Sequence, residues 1–156
     1  MIRILAVGRI KEKSLQGLLE EYSKRLQSYH KISIEEVADY PTSEQEAENE
    51  KVRIQEGEKI LSRIKEDEYV ILLDLNGIQL DSVQFSKKIE EIQTYQSNKI
   101  VFIIGGSVGV SNAVKQRANY KLKLSEMTFP HQLARLILLE QIYRSYKIMK
   151  NEPYHK

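Results

Sequence analysis

No cysteine occurs anywhere in the chain. Structural disulfides, thiolate–zinc sites and cysteine nucleophiles are thereby excluded, and the absence fits a reducing compartment. Long apolar runs are missing too: none approaches the roughly 20 residues that span a bilayer. The opening MIRILAVGRIKEK has too short an apolar run for a signal peptide and reads as a first strand. A cytoplasmic protein is expected, with no membrane partner and no metal. Linkers, repeats and low-complexity segments are also lacking. The 156 residues therefore read as one domain, 1–156, large enough to bury a core unaided.

Charge is nearly balanced overall, at +2, but unevenly placed. Residues 100–156 hold nine Lys/Arg against three Asp/Glu, a balance of +6, while the preceding 99 residues stand at −4. This asymmetry suits one face meeting an anionic partner such as nucleic acid, and it also suits an ordinary solvated surface.

Hydrophobic spacing gives the elements. Met1–Val7 reads as a buried strand ending at Gly8. Leu15, Leu18, Leu19, Tyr22, Leu26 and Tyr29 mark one face of an amphipathic helix. Ile32, Ile34 and Val37 suggest a second strand. Thr42–Gln45 and Ser43–Glu46 form overlapping capping boxes that predict the start of a charged helix reaching about Ile64. Within it, Gly57 costs about 1 kcal/mol relative to alanine. YVILLDL (69–75) is a central strand, covered on both faces. Asn76-Gly77 predicts the turn that follows it, and Asp81 caps a helix carrying Phe85, Ile89 and Ile92. Strands at 100–104 and 120–124 follow. Strands alternating with helices predict an α/β fold with a largely parallel sheet and helices on both faces. The last helix, about His131–Lys150, is apolar on more than one face. That girth implies a second cover, and a homodimer built on this helix is expected.

Chemistry concentrates where strands end. Gly105-Gly106-Ser107-Val108-Gly109 follows a strand but is neither G-x-G-x-x-G nor a P-loop. It is a tight turn, or a place where a ligand lies against bare backbone. Ser125-Glu126-Met127-Thr128-Phe129-Pro130 leads into the last helix, with Thr128 as a cap and Pro130 in the first turn. Met127 and Phe129 either staple the core or wall a flat ligand. Together these segments predict a small-ligand pocket at the carboxyl edge of a parallel sheet. His131 is a capping histidine or a catalytic one, and His30 receives no role. Arg135 and Arg144 are ion-pair partners of Glu140 or phosphate clamps. The ending Asn151-Glu152-Pro153-Tyr154-His155-Lys156 carries more chemistry than a fraying tail needs.

The run IIGGSVG, LSEMTFPHQLAR, EQIYRSYKI and terminal PYHK resembles the RlmH-type SPOUT-class RNA methyltransferases, over the whole chain. The resemblance implies a C-terminal trefoil knot, which chain topology alone argues against, and an obligate homodimer. It implies methylation of N3 of a pseudouridine in 23S ribosomal RNA, on the assembled ribosome, using S-adenosylmethionine. The cofactor would lie against Leu73, Gly105, Leu124, Ser125, Glu126, Met127, Thr128 and Phe129, with Gly106 and Gly109 shaping the loop. His155 would take the N3 proton, Tyr154 would stack on or bond the base, and Arg144, Arg135 and Lys156 would hold RNA phosphate. One subunit's tail would complete its neighbour's site. Two other readings stand beside this one. The first is a non-catalytic RNA-associated dimer. The second is a nucleotide-dependent enzyme, which the absence of lysine in the glycine loop disfavours.

Overall fold

The structure is a computed structural model describing residues 1–156. Ten elements alternate along the chain: β1 (Ile2–Val7), α1 (Lys13–Gln27), β2 (Ile32–Val37), α2 (Glu46–Ser62), β3 (Tyr69–Gln79), α3 (Ser82–Tyr95), β4 (Ile100–Ile104), α4 (Asn112–Arg117), β5 (Tyr120–Lys123) and α5 (His131–Met149). The five strands form one sheet in the order β2-β1-β4-β3-β5, and every pairing is parallel. Strand side chains alternate between two cores. Ile2, Ile4, Ile71, Ile100 and Phe102 meet α1, α3 and α5 on one face. Leu5, Val7, Leu72, Val101 and Ile103 meet Ile60 of α2 and Val114 of α4 on the other. The α/β reading with helices on both faces holds. The crossovers through α1 and α3 step one way along the sheet, and those through α2 and α4 step the other way on the opposite face. All four therefore share one hand, as strand twist requires.

Several local expectations are met and several are not. Asp81 accepts from the Gln84 backbone N–H at 2.7 Å and Gln84 reaches back to Asp81 N–H, a complete capping box. The boxes expected at Thr42–Glu46 do not form. The N-cap of α2 is Gln45, without a side-chain bond. Ser43 is instead engaged by Asn49, which accepts from the Ser43 N–H at 2.9 Å and donates to its carbonyl at 2.7 Å. Asn49 reaching back thus replaces the cap. Thr128 does not cap α5 either, because Pro130 occupies that position without a side-chain bond. Gly57 serves packing: a Cβ there would lie 2.4 Å from Ser111 Oγ.

Asn76-Gly77 does not end its strand. β3 continues to Gln79, with a bulge that sets both Leu73 and Ile78 opposite Leu122. At Gly77 a Cβ would sit 2.6 Å from the Lys121 carbonyl oxygen, so glycine here permits β3 and β5 to touch, rather than a turn.

The apolar girth of α5 has a cause within the chain. The helix lies between α1 and α3 on the sheet. Tyr143 packs edge-on to Tyr22, and Ser86 of α3 donates to the Ser145 carbonyl at 3.1 Å. Its buried residues, among them Leu138, Leu139, Ile142 and Tyr146, face three neighbours. Only Leu133 among its large apolar residues is exposed. His30, which carried no expectation, stacks on Tyr146 with centroids 5.6 Å apart. No helix is long and apolar enough to cross a membrane.

Replacing Gly77 by alanine should destabilise the fold by about 1–3 kcal/mol, the usual cost of overpacking, read as a lowered denaturation midpoint with unchanged m-value. Burial lowers the His30 pKa from 6.5, aided by the nearby N-terminal amine. Below about pH 6.5 the unfolded chain therefore takes up a proton that the folded chain resists, and stability falls. The loss between pH 7 and 5 should be smaller in His30→Gln than in the parent, by parallel urea titrations.

Candidate functional site

At the carboxyl ends of β3, β4 and β5 the chain leaves a cleft of about 610 Å³. Such sheet edges are where open α/β folds place ligands. Three stretches wall it: Leu73–Asn76, Ile104–Val110 and Leu122–Phe129 without Glu126. Glu126 points away, 2.7 Å from Lys123 Nζ with its side chain 80% exposed. The other nine residues expected around the cofactor all line the cleft.

The walls are unusual in their hydrogen bonding. From Leu124 to Phe129 no backbone group pairs with another backbone group, and the sole local bond runs from Met127 N–H to Ser125 Oγ at 3.0 Å. None of these residues is buried, so their backbone groups stand open to solvent or to a ligand. Six residues of donors and acceptors beside an apolar floor can therefore receive the edge of a heterocycle. The glycine loop is firmer. Gly109 donates to the Gly106 carbonyl at 3.1 Å with φ at +83°. Arg53 of α2 bonds the Val108 carbonyl at 3.1 Å and pairs with Glu50 and Glu46. A Cβ at Gly105 would come 2.7 Å from Val110 Cγ1, so the loop closes on itself only without a side chain.

Sequence reading missed Arg53, Glu50, Asn112 and Lys115, which reach this cleft from α2 and α4. No local pattern marks them. Asp74 was detectable, as an acid at the end of an otherwise apolar strand. His131 opens α5 on the cleft's margin.

The tail forms a second cluster. Glu140 accepts two bonds from Arg144, at 3.1 and 2.7 Å, and one from Tyr154 OH at 3.2 Å. Arg144 also stands over the Tyr154 ring at 4.7 Å and lies 3.2 Å from His155 Nδ1. Tyr143 meets Tyr154 edge-on. Burial, then a bond with Tyr22 and the charge of Glu140, push the Tyr154 phenol up to about 12. It stays protonated at ordinary pH, a donor and not a base. Lys156 is exposed beyond it. None of these residues lines the cleft of its own protomer. Arg144 lies thirteen residues along α5 from His131, about 20 Å at the helical rise.

Arg135 departs from the expected role on RNA phosphate. It is 2% exposed, paired with Glu36 at 3.1 Å and donating to the Gly8 carbonyl at 3.1 Å. Its Nε is buried without a partner, and at this depth the guanidinium is closed to an outside phosphate.

Fold and cleft define the class first: a parallel α/β protein whose strand-end loops wall a ligand-sized cleft. Two solved structures share the fold above a TM-score of 0.5. One is a probable methylase family protein from Haemophilus influenzae (0.51, 14% identity, 99% of this chain and 70% of that one). The other is a probable methyltransferase from Bordetella pertussis (0.53, 8% identity, 93% of each). The family described as "Predicted SPOUT methyltransferase" matches residues 1–155. Proteins called ribosomal RNA large subunit methyltransferase H are similar along 99% of both chains: 51% identical in Clostridium tetani and 48% in Bacillus pumilus. The chain belongs to the SPOUT methyltransferase family, of the RlmH type.

Removing the shared acceptor in Glu140→Ala should loosen the tail. Amide exchange at residues 151–156 should speed up several-fold, while the denaturation midpoint shifts little, since the cluster is solvent-accessible.

Proposed function

We propose that this protein methylates N3 of a pseudouridine in 23S ribosomal RNA with S-adenosylmethionine, acting in the cytoplasm on the assembled ribosome. The observation that carries this reading is the cleft: bare backbone from Leu124 to Phe129 beside the glycine loop, in a chain half identical to proteins named for ribosomal RNA methylation. Its size suits a nucleoside-sized ligand, and its unpaired N–H and C=O groups suit an adenine edge. Leu73, Leu124, Met127 and Phe129 offer apolar contact, while Asp74 offers negative charge. Gly105, Gly106, Gly109, Ser125 and Thr128 would admit the ligand against the chain. When bound, the cofactor supplies an electrophilic methyl group.

The protein's own task is alignment, exclusion of water and removal of the N3 proton. His155 takes that proton, because the high pKa of Tyr154 leaves the phenol as donor or stacking partner. Arg144 orients His155, and with Lys156 it faces RNA phosphate. Tail and cleft stand about 20 Å apart within one chain, so a complete site needs the tail of a second subunit. This separation supports a homodimer, with the exposed Leu133 flank of α5 beside the cleft as its contact. A knotted path, with residues 124–130 threaded past the 73–79 and 104–110 segments, is the matching topology. The modest net charge of +2 favours a preformed ribosomal surface over naked RNA, whose binding would be salt-sensitive.

Labelled S-adenosylmethionine incubated with ribosomes from a strain lacking the activity, followed by nucleoside mass spectrometry, should yield N3-methylpseudouridine, and free 23S RNA should yield far less. Cofactor binding without any labelled product would overturn the assigned acceptor. In the same assay His155→Ala should lower kcat by about 100-fold or more, the usual worth of a general base, with cofactor affinity unchanged. An unchanged kcat in an intact dimer would remove His155 from the mechanism.

A further inference from the structure

Behind the glycine loop lies a second cleft of about 560 Å³, which shares Gly106, Ser107 and His131 with the first. Its walls are polar and differ from end to end. At one end are Arg9 and the start of α5. There the His131, Gln132 and Leu133 N–H groups have no protein acceptor, since Pro130 provides no side-chain cap and the first backbone bond of the helix comes from Ala134. Free N–H groups at a helix start beside an arginine suit a phosphate.

At the other end are Asp39, Tyr40 and Glu56. Glu56 is 3% exposed, and its Oε2 accepts the Tyr40 N–H at 3.1 Å, while its Oε1 has no partner. A buried carboxyl oxygen left unpaired is costly, and such exceptions call for a specific cause. Gly106 keeps this oxygen beside the shared wall: a Cβ there would lie 3.2 Å from Glu56 Oε1 and 3.1 Å from Val7 Cγ1. Burial pushes the Glu56 carboxyl above its usual range, and Asp39 adds to the shift. The unpaired Oε1 is an acceptor, the complement of a base edge that carries an N–H.

We propose that this second cleft receives the acceptor nucleotide, with Arg9 and the α5 N-terminus on its phosphate and Glu56 Oε1 accepting from the pseudouridine N1–H. This rests on the function proposed above and adds to it the basis of base choice. Uridine has no N1–H, because its N1 carries the sugar. Pairing at N1–H leaves N3 uncommitted, free to meet the methyl group where the two clefts share residues. A site built to bond a group strongly rejects the analogue without it.

The test compares methylation of ribosomes carrying pseudouridine at the target with ribosomes from a strain that leaves uridine there. The parent protein should favour the former by more than about 100-fold in kcat/KM. Glu56→Leu should lose at least ten-fold on pseudouridine and leave the uridine rate unchanged. Glu56→Gln, which retains an acceptor, should recover most of the loss. Arg9→Ala, at an exposed position, should raise the KM for ribosomes without altering cofactor affinity by calorimetry. If both Glu56 variants kept the parental preference, or Arg9→Ala the parental KM, the assignment would be overturned. No transfer by the parent to pseudouridine ribosomes would instead refute the methyltransferase reading itself.

Discussion

The Arg135 guanidinium fixes the geometry on which the rest depends. It anchors the second turn of α5 to Glu36 of β2 and to the Gly8 carbonyl just past β1. The chain leaves β5 at one edge of the sheet, yet α5 begins over the β1–β2 end. The segment between them must therefore cross the carboxyl ends of the strands, and it does so without secondary structure. Breaking such a pair leaves a buried charge, at a cost of about 3–5 kcal/mol where the desolvation is complete. The half-exposed Glu36 moderates that figure. This anchor also explains why Leu124–Phe129 crosses without secondary structure and makes no backbone–backbone hydrogen bond.

Local pattern recovered most of the framework because period and position agree with burial. Continuous apolar runs gave β3 and β4, and the Asp81–Gln84 box gave the start of α3. What failed depended on partners distant in sequence. Arg135 meets Glu36 from 99 residues away. Gly77 answers to the Lys121 backbone, and Asn76-Gly77 has the composition of a turn without its geometry. At Ser43 a side chain one turn into the helix, Asn49, took the bonds that the capping pattern reserves for Glu46. The excess apolar girth of α5 was visible, but two flanking helices account for much of it. The cleft's glycine and Ser125–Phe129 walls were legible from strand-end position. Its α2 wall was not, because Arg53 and Glu50 belong to a charged helix in which nothing marks them.

Electrostatics divides the labour of the tail. Glu140 collects Arg144 and Tyr154, while burial first, then Tyr22 and the Glu140 charge, push the Tyr154 phenol up to about 12. His155 lies with its Nδ1 3.2 Å from Arg144. A cationic neighbour there also favours an anionic reacting base, since deprotonated N3 carries charge that a guanidinium stabilises. The same Arg144 stacks on Tyr154, so one side chain sets the position of both tail groups.

The glycine loop is where cofactor and acceptor requirements meet. In the proposed reaction the methyl group and the nitrogen must come into direct contact along a line, so the loop between the two clefts has to be thin. Side chains at positions 105 and 106 would thicken that wall: one would strike Val110 in the first cleft, and the other Glu56 and Val7 toward the second. Two glycines in succession let backbone alone divide the spaces. Arg53, bonded to Val108, keeps the divider from swinging into either side. Because α2 supplies both Arg53 and Glu56, the helix that braces the loop also carries the unpaired carboxyl. A shift of α2 would change the walls of both clefts together.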